Sequence, residues 1–367
     1  MTETCRYFDS DEWEERLKRH VGRVWNDKDL SEAVEDIDVE ETTGKEIEDI
    51  SDLNENDVLR IWKENTGEHG NLKRVPKECP HEARENGLCI FHAPVDRKND
   101  KETKNEFLKK IEQKGRENKK FVGAEFGQLD LEQEILDSDN NNHPIDLSFA
   151  EIEKLEMNDT TVKQVWHMDR STVSKEAYFM NAKFNRFSSF GSTEFGDKSN
   201  FAHVKFRNIA HFEGAEFKEN TVFGHADFGK SASFIGAEFN SKVDFRRVEV
   251  RGNSVFSHVV FGEESDFSYA AFGGESNFSF ATFEDGGVFR SAVFRGKSYF
   301  NDARFQDDSH DGLLPEPVAD FSRVKFKRGS IFIRVDFVED ASFIETEFGG
   351  SSRFGEGSFE AHANFRY

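Results

Sequence analysis

The chain has 367 residues, with 72 Asp and Glu against 49 Lys and Arg, which gives a net charge of −23. This charge argues against a protein that binds duplex nucleic acid, since phosphate neutralisation requires clustered positive charge. The mean hydropathy is −0.73, and no apolar run approaches the roughly 18–20 residues of a transmembrane helix, so we expect no membrane association. The polar, acidic start MTETCRYFDSDEWEE contains no signal peptide, and three cysteines do not indicate a disulfide framework, which together favour a cytoplasmic protein.

Residues 1–120 are expected to form a small, mostly α-helical N-terminal domain. Apolar residues spaced by four predict an amphipathic helix over 11–25, and a shorter apolar pattern predicts a helix over 54–65. Residues 27–53 are acidic and poor in aromatic residues, which is typical of a flexible linker. A further helix is predicted over 101–119, where it would cover the start of the remaining chain.

A cluster of chemistry-bearing residues lies between the predicted helices, at Cys79, His81, Cys89 and His92. Two thiols and two imidazoles within this short span provide a tetrahedral zinc shell, and Gly87 suits a tight turn before Cys89. The predicted cofactor is therefore one structural zinc ion. The alternative is a loop with free thiols and surface imidazoles. A catalytic metal is disfavoured, because four ligands leave no open position and no carboxylate is placed as a base.

From residue 179 onward, phenylalanine recurs at alternating steps of five and six, so the pattern repeats at every eleventh position. Such a period is typical of repeat architectures. The ladder has 33 positions, of which 32 are Phe and one is Val250. The positions are 179, 184, 190, 195, 201, 206, 212, 217, 223, 228, 234, 239, 245, 250, 256, 261, 267, 272, 278, 283, 289, 294, 300, 305, 321, 326, 332, 337, 343, 348, 354, 359 and 365.

The residue two positions before each ladder position is Ala, Ser, Thr, Val or Gly in all 33 cases. Steps of five and six do not keep one face of a helix apolar, and the alternation is too short for a flat amphipathic sheet. The pattern instead predicts very short strands with a corner every five or six residues. At each corner the small residue and the Phe would point inward, and the small residue would leave room for the ring.

This unit resembles the pentapeptide-repeat family, whose repeat reads Ala/Ser-x-Phe/Leu-x-x; the segments at 215–217, 226–228 and 237–239 match it directly. The resemblance covers 121–367 and implies a right-handed, four-sided β-solenoid, here with about 22 residues per coil. Similar Cys…Cys-x-Phe-His elements precede the repeats of some archaeal pentapeptide-repeat proteins. The chain is therefore identified as a member of this family, of the archaeal type.

The ladder extends upstream in a weaker form, with steps of five at 121, 126 and 131 and again at 147, 152, 157 and 162. An insertion is expected between these two stretches, at about 132–144. Trp166 leaves the register undecided, since it is too large for a small-residue position. After Phe305 the next ladder position is 321, where 311 was due, which predicts a ten-residue loop within 306–320.

Two further expectations concern the surface of this array. The residues His203, His225, Arg247 and Tyr269 are spaced by 22 and should form one outward column. The last coil has no obvious cap, because Phe365 still belongs to the ladder, so we expect a homodimer through the C-terminal coil or a cover made by the last few residues.

The predicted function is a non-enzymatic protein-interaction scaffold with a protein partner and no direct nucleic-acid binding. The sequence contains no Gly-x-Ser-x-Gly, no His-Glu-x-x-His and no glycine-rich phosphate loop after a strand. The alternative, which the resemblance implies, is a DNA mimic that binds a type II topoisomerase or another DNA-binding protein. The net charge of −15 on residues 121–367 is compatible with such mimicry and also with a salt-adapted proteome.

Overall fold

The structure, a computed structural model, describes Tyr7, Trp13 and residues 79–83, 87–137, 143–306 and 318–366. The chain divides into two compact units, Met1–Ala93 and Pro94–Tyr367. The predicted linker over 27–53 and helix over 54–65 lie outside the described residues. Of the predicted helix over 11–25 only Trp13 is described, and it is helical.

The second unit begins with a 3-10 helix, Val95–Arg97, and an α-helix, α1 (Asp100–Glu112). Asn99 caps α1, because its side-chain oxygen accepts a hydrogen bond from the Glu102 amide at 3.2 Å. The sequence predicted a helix as far as residue 119, but α1 ends at Glu112, and Gly115 adopts a positive φ of 103°. A separate 3-10 helix, Glu117–Lys119, follows.

Helix α1 covers the first coil of the array, as its sequence pattern predicted. The fully buried ring of Phe107 lies 4.4 Å from the ring of Phe121 and 6.0 Å from that of Phe126, centroid to centroid. Lys119 is also fully buried, and its Nζ donates to the carbonyl oxygens of Gln113 and Gly115 at 2.6 and 3.4 Å. Burial lowers the pKa of the Lys119 ammonium.

The array that follows consists of short parallel strands arranged as four faces per coil. Faces 1 and 2 belong to one 20-stranded sheet, because the long strands β1 and β4 pair along both of them. The strands of face 1 are β1 (Glu125–Asp130), β4 (Glu151–Glu156), β7 (Thr172–Val173), β11 (Glu194–Phe195), β15 (Glu216–Phe217), β19 (Glu238–Phe239), β23 (Val260–Phe261), β27 (Thr282–Phe283), β31 (Arg304–Phe305), β35 (Asp336–Phe337) and β39 (Ser358–Phe359). The further strands of face 2 are β8 (Glu176–Tyr178), β12 (Lys198–Asn200), β16 (Thr221–Val222), β20 (Val243–Asp244), β24 (Ser265–Asp266), β28 (Gly287–Val288), β32 (Ala319–Asp320), β36 (Ala341–Ser342) and β40 (Ala363–Asn364).

Faces 3 and 4 are separate sheets of ten strands each. Face 3 contains β2 (Ile135–Leu136), β5 (Thr161–Val162), β9 (Lys183–Phe184), β13 (Lys205–Phe206), β17 (Asp227–Phe228), β21 (Glu249–Val250), β25 (Ala271–Phe272), β29 (Val293–Phe294), β33 (Lys325–Phe326) and β37 (Glu347–Phe348). Face 4 contains β3 (Ile145–Asp146), β6 (Trp166–His167), β10 (Ser188–Ser189), β14 (Ala210–His211), β18 (Ala232–Ser233), β22 (Ser254–Val255), β26 (Ser276–Asn277), β30 (Ser298–Tyr299), β34 (Ser330–Ile333) and β38 (Arg353–Gly355).

Each strand pairs in parallel with the strand one coil away, so the predicted 22-residue coil is confirmed. Phe195 pairs with Phe217, which pairs in turn with Phe239. With ten strands on each of faces 3 and 4, the array is a parallel β-solenoid of about ten coils.

The interior is a stack of phenylalanine rings in four columns. Rings one coil apart lie nearly parallel, as for Phe201 and Phe223, whose centroids are 4.7 Å apart with planes 9° apart. Rings from neighbouring columns meet edge to face, as for Phe201 and Phe212 at 5.6 Å and 89°. Both are favourable aromatic geometries, and burying each ring contributes about 1.5–3 kcal/mol before the entropy of chain ordering is subtracted.

The alternation of five and six residues reflects two kinds of corner. In the five-residue corner after Phe179, the Ala182 amide donates to the Phe179 carbonyl at 3.0 Å, and Asn181 has a φ of 59°. A positive φ at the third residue defines a type II turn. The six-residue corners are wider connections, and glycine occurs where they approach the coil below: a Cβ at Gly296 would lie 2.0 Å from the Gly274 carbonyl oxygen.

Two details of the upstream register correct the sequence analysis. The strand β2 lies inside the insertion expected at 132–144, because Leu136 pairs with Val162. Trp166 occupies the small-residue position after all, paired with Ser188 and fully buried. It fits because the ladder positions of that coil hold side chains smaller than Phe, namely Val162, Met168 and Val173.

The extra residues after Phe305 leave the coil phase intact, as predicted. Phe305 pairs with Phe337, and Gly287 pairs with Ala319, so each position still meets its counterpart in the next coil. The ten additional residues therefore lie between β31 and β32.

The last coil leaves ladder rings open to solvent. Phe354, Phe359 and Phe365 are 43%, 42% and 54% exposed, whereas Phe321 and Phe326 are fully buried. The described residues up to Arg366 do not cover these rings.

Candidate functional site

The Cys/His cluster of the first unit is built on a tight turn. Gly87 adopts a φ of 78° before Cys89, and the amides of His92 and Ala93 donate to the Cys89 carbonyl at 3.1 and 2.9 Å. This turn returns the chain so that His92 faces the Cys89 thiol.

Three of the four predicted ligands converge. The Cys79 and Cys89 sulfurs are 3.7 Å apart, and the His92 Nδ1 lies 3.3 and 3.2 Å from them. All three side chains are buried, and their ligand atoms lie within 4.8 Å of one another. Cys79 and Cys89 do not form a disulfide with each other.

This donor set fits a zinc ion. With Zn–S bonds of about 2.3 Å, tetrahedral geometry places two sulfurs about 3.8 Å apart, which is close to the 3.7 Å between Cys79 and Cys89. Cys79, Cys89 and His92 would hold the ion, and its chemistry there would be to cross-link two segments of chain that are ten residues apart.

His81, the fourth predicted ligand, is placed differently. Its ring packs edge-on against Phe91 with centroids 4.7 Å apart, and the side chain is 3% exposed. It is not part of the group of donor atoms that converges among the described residues. Its role as a ligand stays a prediction.

An aromatic residue that the sequence analysis did not single out completes the surroundings of the cluster. Tyr7 stacks on His92 with centroids 4.2 Å apart and planes 6° apart, and Trp13 packs against Tyr7 at 5.6 Å. Tyr7 is fully buried and Trp13 is 3% exposed. A contact between positions so far apart in the sequence carries no local signal that could have predicted it.

The predicted outward column on the array is present. The rings of His203 and His225 stack at 4.7 Å, and the Arg247 guanidinium lies 5.6 Å from the ring centroid of Tyr269. All four residues have a positive φ, so they occupy the left-handed position of successive type II turns.

The repeat unit also matches a known family model. Residues 201–249 match the family model described as pentapeptide repeats, with 9 copies. The array therefore contains pentapeptide repeats. A comparison with curated proteins found no match.

The pentapeptide-repeat array carries a second column of left-handed residues. The ring of His258 stacks on that of Phe280 at 4.8 Å with planes 2° apart. Phe280 is 50% exposed. Phe187 and Tyr178 are half-buried and lie on other parts of the coil.

A shallow surface depression of about 450 Å³ is lined by charged side chains between face 1 and its neighbouring turns. The Arg334 guanidinium donates to both carboxylate oxygens of Asp302, at 2.6 and 2.8 Å, and these bonds lower the pKa of Asp302. Both groups are thus engaged with each other. The described residues of this depression do not form an arrangement of nucleophile and base.

No helix in the described part of the chain has both the length and the apolar composition needed to cross a bilayer.

Proposed function

We propose that the pentapeptide-repeat array is a non-enzymatic scaffold that binds a protein partner through side chains displayed at its corners. The observation that carries this proposal is the set of large side chains at left-handed turn positions. His203, His225, Arg247 and Tyr269 are all exposed there, and they are spaced one coil apart in a single column.

These positions favour glycine on conformational grounds. A non-glycine residue in the left-handed region costs roughly 1–2 kcal/mol, yet His, Arg, Tyr and Phe occupy it in successive coils. A displayed side chain that is retained against such a cost supports a role in binding. The interior supports the same conclusion, because its columns are filled by stacked rings and offer no room for a substrate.

Glycine substitutions test this proposal without disturbing the fold. A variant with His203→Gly, His225→Gly, Arg247→Gly and Tyr269→Gly removes the displayed column and relieves the turns. A matched control carries Gly at Ser192, Asp302, Arg334 and Glu356, which have the same backbone conformation in the other column of turns. A defined partner cross-linked to the native chain should be lost from the first variant and kept by the control. Equal binding by both variants would exclude the column as the binding surface.

The acidic surface of face 1 favours a second candidate, mimicry of DNA. Glu194, Glu216 and Glu238 pair in register in successive coils, about 4.8 Å apart. Glu216 and Glu238 reach the surface, whereas Glu194 is 6% exposed and pairs with Lys218. In this case the chain would bind a type II topoisomerase or another DNA-binding protein in place of DNA. Inhibition of gyrase supercoiling at micromolar protein, abolished by Glu→Lys changes at these three positions, would support it; undiminished supercoiling would exclude it for gyrase.

The exposed rings at the last coil support a homodimer through this end. A second copy would cover Phe354, Phe359 and Phe365. Sedimentation equilibrium should give twice the chain mass, and Phe359→Ser with Phe365→Ser should give the monomer mass. A monomer at high protein concentration would contradict this arrangement. We infer a cytoplasmic setting from the small number of cysteines, since disulfide-rich frameworks are typical of secreted proteins.

A further inference from the structure

One edge of the array is basic although the protein as a whole is strongly acidic. This edge consists of the connections between each face 3 strand and the following face 4 strand, from the end of β5 at Val162 to the start of β38 at Arg353. We call these connections the basic edge. They contain nine Lys and Arg and a single carboxylate, Glu275. All nine cationic side chains are exposed.

The opposite side of the coil has the reverse charge. Half a coil away, the connections between face 1 and face 2 from residue 174 onward carry nine carboxylates against three lysines, leaving aside 306–318. The charges of the array are therefore sorted by position within the coil, which the net charge of the chain conceals.

Most cations of the basic edge have no carboxylate to neutralise them. Lys163, Arg251 and Lys327 form ion pairs. Six others form no ion pair with any described residue: Arg186, Arg207, Lys230, Arg295, Lys297 and Arg328.

Neighbouring coils are about 4.8 Å apart, which is less than the screening length of about 8 Å at physiological ionic strength. The cations of the basic edge therefore repel one another along its length. An anionic partner that lies along the edge would relieve this repulsion, and the binding would be salt-dependent.

The outward strand residues that adjoin the basic edge are uncharged. The outward strand residues of face 4 include none of Asp, Glu, Lys or Arg from His167 to Ile331. Several of them are apolar or aromatic, such as Val255, Tyr299 and Ile331. Beside them lies Ile235, which is 41% exposed. On face 1, the corresponding positions hold Glu in successive coils.

We propose that the basic edge and the uncharged face 4 together bind an acidic polypeptide segment that also carries apolar side chains. This inference rests on the proposed scaffold function and names the chemistry of a partner. The basic edge supplies a row of cationic side chains. Face 4 supplies a surface on which apolar side chains of the partner can be buried from water.

A nucleic acid fits these observations less well. Single-stranded nucleic acid is bound by a basic groove with a series of aromatic platforms on which bases stack. The rings of His167, Phe187 and His211 form one short aromatic series over three coils. The outward strand residues of the next three coils are Ser, Val and Asn, which end that series before Tyr299. A duplex would also bring a second phosphate backbone towards the acidic parts of the same coil.

The experiment uses the full chain and fluorescein-labelled probes in anisotropy titrations. The first peptide is (Glu-Ile-Glu-Ser)₃. The second, (Glu-Ser)₆, has the same charge and no apolar residue, the third is (Lys-Ile-Lys-Ser)₃, and (dT)₁₂ represents nucleic acid. The edge variant carries Arg207→Glu, Lys230→Glu and Arg295→Glu. Its matched control carries Lys198→Glu, Lys242→Glu and Arg304→Glu, which change the net charge equally at exposed positions elsewhere.

We expect the first peptide to bind at least tenfold more tightly than the other three probes. We also expect its binding to weaken at least tenfold in the edge variant, and to change less than twofold in the control. Thermal unfolding should be the same for both variants. No binding of the first peptide, equal loss in both variants, or tighter binding of (dT)₁₂ would overturn the proposal. Because the edge variant retains the corner column, the glycine variants test the scaffold function separately.

Discussion

Phe223 and Phe245 are separated by one full coil of chain, yet their rings stack with centroids 5.0 Å apart and planes 4° from parallel. Each ring thus depends on the ring of the coil above and the ring of the coil below. In such a repeat structure stability is a sum of local terms between neighbours.

Replacing one ring should therefore damage several coils. Phe245→Ala is expected to lower the free energy of unfolding by about 3–5 kcal/mol, because it leaves a cavity in a closely packed stack. Arg246→Ala, its exposed neighbour, should cost at most about 1 kcal/mol, the range for exposed ion pairs. Urea denaturation followed by circular dichroism measures both values. Similar, small effects of the two substitutions would contradict a core made of these rings.

The glycines at six-residue corners should be sensitive to a single added carbon. Gly296→Ala would place a Cβ 2.0 Å from the Gly274 carbonyl oxygen, and a clash with backbone is expected to cost at least about 1–3 kcal/mol. Gly355→Ala is the control, since a Cβ there meets no atom within 4 Å. The melting temperature should fall for the first variant alone. Equal melting temperatures would show that the coils can separate to accommodate the methyl group.

Lys119 should contribute to the junction between α1 and the first coil. Lys119→Met removes the donor to the carbonyls of the half-buried Gln113 and Gly115, at a cost of about 0.5–1.5 kcal/mol, the net contribution of a hydrogen bond. Lys114→Met, at an exposed position, should be neutral. Hydrogen exchange of the α1 amides should accelerate in the first variant. Unchanged exchange would argue against a structural role for the buried ammonium.

The Cys/His cluster should contain about one zinc ion per chain in pure protein, measured by plasma mass spectrometry. Cys79→Ser, Cys89→Ser and His92→Ala should each remove most of the metal. His81→Ala decides the fourth ligand: retained zinc would exclude His81, and lost zinc would add it to the three residues that converge.

Metal removal should also be visible from the aromatic residues around the cluster. Tyr7 stacks on His92 and Trp13 packs against Tyr7, so loss of the ion is expected to loosen the site and shift Trp13 emission to longer wavelength. The metal should leave as the pH falls, because thiolates and neutral imidazole are needed for binding. Zinc content near zero in protein purified without chelators would contradict a metal centre.

The sequence by itself determined the coil of this protein. A large ring every five or six residues, with a small residue two positions before it, can be buried only if the chain turns at every step, and the 33 repeats left no competing period. It also determined which residues face outward in one column, since residues separated by one coil length in the sequence lie next to each other in successive coils.

Only the tertiary structure decided the features that depend on volume and on distant contacts. Trp166 fits a small-residue position because Val162 and Val173 leave space around it, and no local pattern reports that volume. The separation of basic and acidic edges appears once residues of successive coils are brought together, because net charge averages over the coil. The convergence of Cys79 with Cys89 and His92, and the placement of Tyr7 against that histidine, required the folded chain, since spacing restricts which side chains can meet and packing selects those that do.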